Sequence, residues 1–149
     1  SERRKYFYET DESINKKIKK SLDAGLKVIF CIGETAEERD AGQKKEVLER
    51  QTKIGLKDLP VTSYQLQVTI AYEPVWAIGT GNNCSVEETK QSIDFIRKFV
   101  PENTRILYGG SVKSQNSGDY IKKAGANGLL VGGASLDPEE FIKIVKSTE

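Results

Sequence analysis

Apolar and polar positions along this chain change their period several times, and each change marks an element. Leu26-Lys27-Val28-Ile29-Phe30-Cys31-Ile32 is almost continuously apolar, rich in β-formers and closed by Gly33, which predicts a strand. Similar runs occupy residues 66–72, 104–108 and 128–131; the last two are closed by Gly109-Gly110 and Gly132-Gly133. Runs this apolar suit parallel strands covered on both faces.

Between the strands the period lengthens to that of a helix. Ile14, Ile18 and Leu22 recur on one face after Asp11, and Gly25 stops that segment. Thr35 and Glu38 have capping-box spacing, as do Ser85 and Glu88. Gly42 interrupts the first of these helices before a longer run through Val47 and Leu48. The second carries Ile93, Ile96 and Val100 inward and ends at Pro101. A shorter helix is expected over residues 115–124. The last opens with Asp137 as cap and Pro138 at the first helical position, with Phe141, Ile142 and Val145 facing the core. The Lys and Glu residues on these helices read as solvated faces.

The order is therefore a helix followed by four strand–helix units, within one domain spanning residues 1–149. No linker, low-complexity tract or composition shift divides it. Right-handed crossovers make this a parallel α/β sheet. A closed eightfold (β/α) barrel needs about 250 residues; four units correspond to half of one.

In such a barrel, chemistry sits at the carboxyl ends of the strands, and phosphate often binds after the last two. Glu73 ends the second strand run and is followed by Pro74 and an apolar segment that finishes Gly79-Thr80-Gly81. A carboxylate at a strand mouth, under an apolar loop able to swing over it, suits proton abstraction in a water-poor pocket. A loop cap, or a pair with a lysine, would leave the same trace. The pairs Gly109-Gly110, before Ser111, and Gly132-Gly133 let backbone N–H groups approach an anion closely. Ser111 adds a hydroxyl donor. Plain strand-to-helix turns would also use such glycines.

Bulk properties narrow the choices. Lys and Arg number 23 against 22 Asp and Glu, a net charge of +1, which gives no electrostatic case for nucleic acid or a membrane surface. No apolar run has the length of a membrane span, and no secretory signal opens the sequence. Two cysteines make no disulfide framework. Cys31 reads as a buried small hydrophobe, and the cytoplasm is the expected compartment. With no His in the chain, imidazole acid–base chemistry within it is excluded. With no Met and an abrupt polar start at Ser1-Glu2-Arg3-Arg4, it reads as a piece of a longer protein.

Five segments closely resemble triosephosphate isomerases. They are Ser1-Glu2-Arg3-Arg4, Cys31-Ile32-Gly33-Glu34-Thr35, the loop from Tyr72 to Gly81, Tyr108-Gly109-Gly110-Ser111, and Val131-Gly132-Gly133-Ala134-Ser135-Leu136. The resemblance covers essentially the whole chain. It implies a TIM barrel, here the C-terminal half, with strands five to eight.

It also implies that Glu73 is the base that moves a proton between adjacent carbons. The reaction would interconvert dihydroxyacetone phosphate and glyceraldehyde 3-phosphate through an enediol(ate), in glycolysis and gluconeogenesis, with neither metal nor cofactor. Gly79 would give its N–H to the phosphate once the loop shuts, a motion of which this family is itself a standard example. Ser111, Gly132 and Gly133 would complete the phosphate site. Tyr108 and Ser111 would hydrogen-bond the closed loop, and Glu34 would meet the Trp76 indole in one loop state. Ser1 would lie beside the base, with Glu2 close to the family's lysine. The small triose phosphate is the implied partner, and the full-length enzyme a homodimer.

The chain departs from the family pattern in its chemistry. The electrophilic His expected immediately before Ser1 is absent, as are the substrate-binding Asn and Lys and the long dimer-forming loop. Asn82-Asn83-Cys84 stands where the family often has Lys-Thr-Ala. A non-catalytic half barrel that folds or self-associates, and another phosphate-binding barrel enzyme, are the competing readings.

Overall fold

The computed structural model describes residues 1–59 and 67–149. Its sheet has four parallel strands in sequence order: β1 (Val28–Ile32), β2 (Val68–Tyr72), β3 (Ile106–Tyr108) and β4 (Gly128–Leu129). The start of the second expected strand, at residue 66, lies outside the described residues. In register, Ile32 stands opposite Tyr72, Tyr72 opposite Tyr108, and Tyr108 opposite Leu129. The residues that follow these four therefore emerge along one rim.

Helices connect the strands as the periodicity requires. α1 (Glu2–Phe7) and α2 (Asp11–Asp23) precede the sheet. Thr10 caps α2 in a reciprocal box with Ser13, a device worth about 1 kcal/mol. α3 (Ala36–Asp40) and α4 (Lys44–Gly55) are divided by Gly42, whose φ of 73° only glycine adopts without strain. α5 (Val86–Ile96) follows β2, α6 (Ser114–Lys122) follows β3, and α7 (Pro138–Ser147) follows β4. Short 3₁₀ turns occupy Val75–Ala77 and Gly133–Leu136. Neither these turns nor α1 is marked by apolar periodicity.

One cluster joins the helices to the sheet. Ile18, Leu48, Ile93, Ile96, Tyr120 and Ile144 pack with Phe30, Ile32, Ile70, Tyr72, Ile106 and Tyr108. Each such burial stabilises by about 1.5–3 kcal/mol. The expectation that both sheet faces would be covered is not met among the described residues. The helices cover one face, while Ile29 on the other is 52 % exposed.

Two helices differ from expectation. In α7, Phe141, Ile142 and Val145 are exposed, and Ile144 is the buried residue. The helix packs on α6 along a single stripe, and the described residues leave the rest of its apolar surface bare. At α5, Ser85 Oγ accepts from the Glu88 N–H, but the Glu88 carboxylate turns to Lys44 and Arg39. The capping box is thus half made. The helix then tightens to 3₁₀ over Arg97–Phe99, and Val100 is extended, as the residue before Pro101 must be. No helix among the described residues is long and apolar enough to cross a membrane.

Candidate active site

Glu73 is the first residue past β2, and its N–H continues the ladder by donating to Ile32 O at 2.7 Å. Its place depends on two glycines. A Cβ on Gly33 would lie 1.8 Å from Glu73 O, and one on Gly109 would lie 2.8 Å from Glu73 Cγ. Both distances are closer than atoms can approach. Gly109 thus clears room for the carboxylate, and Gly110 does the same for the Tyr108 hydroxyl, 2.3 Å from its virtual Cβ. The pair thus has a packing role at this site.

The Glu73 side chain is 12 % exposed. Ser1 Oγ donates to its Oε2 at 3.0 Å, and the same hydroxyl reaches Glu2 at 3.3 Å. Cys31 lies beside it on β1; burial first, and then the negative charge of Glu73, push its thiol up to about 12. That thiol stays protonated near neutrality and does not compete as a nucleophile.

Glu34 sits one strand over and is fully buried. Tyr72 Oη donates to its two oxygens at 3.2 and 3.3 Å, and Trp76 Nε1 donates to Oε1 at 2.9 Å. Burial, with the Glu34 charge behind it, holds the Tyr72 hydroxyl well above the usual phenol range. Arg39 stacks over the Trp76 ring at 3.9 Å. The near end of the loop after Glu73 is therefore anchored through its tryptophan, and the Val75 N–H adds a bond to Glu34 O at 3.0 Å.

The loop from Pro74 to Cys84 forms the upper wall of an open cleft of about 780 Å³. Glu2, Glu73, Gly79, Ser111, Gly132 and Gly133 all line it. Gly79 and Gly81 have positive φ, 67° and 78°. Ser111 Oγ donates to Ala77 O at 2.6 Å, and the Cys84 N–H donates to Tyr108 Oη at 3.2 Å. A Cβ built on Gly132 or Gly133 meets nothing within 4 Å, so a side chain there would enter the cleft. Among the described residues, the N–H groups of Gly79, Ser111, Gly132 and Gly133 donate to no other backbone carbonyl. They are unengaged donors around one cavity.

Of the expected site residues, those six line the cleft. Ser1 touches the carboxylate from the side, and Glu34, Trp76 and Tyr108 hold the loop from beneath. Three further charged residues line the cleft that the sequence did not place at the site. Lys113 brings a cation, but a lone lysine at a helix start stands out from no background. Asp137 and Glu140 also face the cleft, yet their charges are engaged. Asp137 caps α7, and Glu140 accepts from the Ser114 N–H at 2.7 Å and the Ser114 hydroxyl at 3.1 Å.

A family model described as "Triosephosphate isomerase" matches residues 1–148. The triosephosphate isomerase of Thermodesulfovibrio yellowstonii is 52% identical, aligned over 98% of this chain and 61% of its own length. That of Aquifex aeolicus is 49% identical, over 99% and 62%. That of Chloroherpeton thalassium is 47% identical, over 100% and 62%. The chain thus spans about 62% of the length of these curated relatives.

Proposed function

This chain belongs to the triosephosphate isomerase family, and we propose that it forms the C-terminal half of a TIM-barrel enzyme that interconverts dihydroxyacetone phosphate and glyceraldehyde 3-phosphate. The observation that carries the proposal is the cleft. It places one carboxylate, Glu73, in the same cavity as the free N–H donors of Gly79, Ser111, Gly132 and Gly133.

Glu73 leaves the Ser1 hydroxyl and takes a proton from the carbon next to the substrate carbonyl. It returns that proton to the former carbonyl carbon, while the proton of the neighbouring hydroxyl passes to the former carbonyl oxygen, so the sugar as a whole is neither oxidised nor reduced. The phosphate rests on the N–H groups of Ser111, Gly132 and Gly133, and the Gly79 N–H joins them when the loop moves inward. Closure also expels water from around the carboxylate, which strengthens each of these contacts. Proton transfer by a positioned base contributes about 10²–10⁴-fold.

Polarising the carbonyl needs a group this chain does not carry, since it has no His, and the lysine that the family resemblance implies for balancing the enediolate is absent as well. We propose that the chain alone is silent for that reason, and that the full-length protein is a homodimer in the cytoplasm. The exposed aromatics Tyr6, Phe7 and Tyr8 offer a surface for pairing. The free thiols of Cys31 and Cys84 suit a reducing compartment.

The test is a coupled assay of the full-length protein with glyceraldehyde 3-phosphate, beside the 149-residue chain from a host lacking its own isomerase. Turnover by the former and none by the latter is expected. Absence of turnover by the full-length protein overturns the proposal. Turnover by the chain alone overturns its silence.

A further inference from the structure

The loop's far end is built differently from its near end. The hinge reads Asn82-Asn83-Cys84, and two tyrosines reach it from separate elements: Tyr108 at the end of β3 and Tyr120 on α6. Cys84, Tyr108 and Tyr120 are all 0 % exposed. The two rings stack, with centroids 3.9 Å apart and planes 23° from parallel. A phenol buried this deeply costs free energy unless its oxygen finds a partner. Both oxygens find theirs on one residue. Tyr108 Oη accepts from the Cys84 N–H at 3.2 Å, and Tyr120 Oη donates to Cys84 O at 2.6 Å. The Asn83 amide then donates to Tyr120 Oη at 3.2 Å.

We infer that Tyr120 is a positioning residue that, with Tyr108, clamps both peptide groups of Cys84 and fixes the far hinge of the loop. This rests on the reading of the loop as a lid over Glu73. The clamp ties the hinge residue to the sheet and to α6 rather than to the lid. Motion is then confined to the stretch before it, where Gly79 and Gly81 supply backbone freedom. A fixed far pivot returns the Gly79 N–H to the same place at every closure. A loose pivot would leave part of the ordering cost to be met when the phosphate binds.

The hydroxyl is the element to test, because phenylalanine keeps the ring and its stack. In the full-length protein, Tyr120→Phe is expected to raise amide exchange about 2–13-fold in peptides covering residues 80–87, the range for one net hydrogen bond. Exchange elsewhere should stay unchanged. Inhibition by inorganic phosphate and kcat/KM should weaken by a similar factor or less, while the pH profile of turnover keeps its shape.

Exchange at residues 80–87 equal to that of the unmodified protein overturns the clamp. Should Tyr120→Phe loosen the whole fold, Asn83→Ala serves instead. It removes only the outer bond to the same hydroxyl, and it should raise local exchange by a smaller factor; no rise overturns the proposal. Exchange needs no turnover, so an inactive full-length protein would refute the isomerase reading and leave the clamp to be judged by its own readout.

Discussion

Two carboxylates leave this sheet from neighbouring strand ends, and the fold holds them in opposite ways. Glu34 follows β1 and is fully buried, with the Tyr72 hydroxyl and the Trp76 indole donating to it. Glu73 follows β2 and keeps 12 % of its side chain in the cleft, with the Ser1 hydroxyl as a side-chain donor. A carboxylate enclosed by donors is locked as an anchor. One with free acceptor positions and room to move can meet a C–H group. The same residue type at the same kind of place thus becomes a strut in one case and, under the proposed function, a base in the other, according to what surrounds it.

The sharpest way to break this contrast is to neutralise each carboxylate in the full-length protein. Glu73→Gln is expected to lower turnover by at least ~10²-fold, the low end for a general base. Inhibition by inorganic phosphate and the melting temperature should change little. Turnover close to that of the unmodified protein would remove Glu73 from the role.

Glu34→Ala should show the reverse profile. It strands the Tyr72 hydroxyl and the Trp76 N–H in a dry site, at about 1–3 kcal/mol for each unsatisfied group. Thermal unfolding should therefore report a loss of about 2–6 kcal/mol, with kcat falling less than in Glu73→Gln. Equal losses of turnover in the two variants, without loss of stability in the second, would erase the distinction.

The chain's pattern made much of this legible. All four strands and the cap, stop and interruption signals at Asp137, Gly25 and Gly42 follow from local physics: period, backbone freedom and orphan N–H groups. The placement of Glu73 at a strand mouth follows from the same pattern. What the pattern missed depends on neighbours distant in sequence. The apolar stripe of α7 shows that Phe141, Ile142 and Val145 want burial, but not whether anything is there to bury them. Whether Gly109 serves an anion or simply avoids Glu73 turns on a side chain from the adjacent strand. Tyr120 has the ordinary look of an apolar helix position. Its role appears only when Cys84, 36 residues away, is laid against it.

A smaller effect is expected on the other side of the cleft from Glu73. Gly133 has open space around its virtual Cβ, so Gly133→Val burdens the fold little while its side chain occupies the cavity. Inhibition by inorganic phosphate should weaken by about tenfold, the scale of one charge-assisted hydrogen bond. Glu73→Gln should leave it unchanged. If Gly133→Val binds phosphate as before, the anion does not rest on that loop, and the division of the cleft into a base side and a phosphate side fails.

The smallest effect concerns Cys31, which feels Glu73 directly. Burial raises its thiol to about 12, and the Glu73 charge is the next cause. The folded state therefore keeps a proton that the unfolded chain releases near pH 9. This contribution to stability is complete below about pH 9 and is lost as pH rises toward 12, by at most about 1.4 kcal/mol per pH unit for one proton. Cys84, raised by burial to about 11, adds to the same alkaline loss. Replacing Glu73 by Gln removes the charge but not the burial, so the Cys31 thiol should titrate slightly lower and remain above an ordinary cysteine. The pH dependence of thiol alkylation, followed by mass spectrometry at Cys31, measures this. No downward shift in Glu73→Gln would mean that Glu73 carries no charge beside the thiol, and it would then lack the ionised form a base needs.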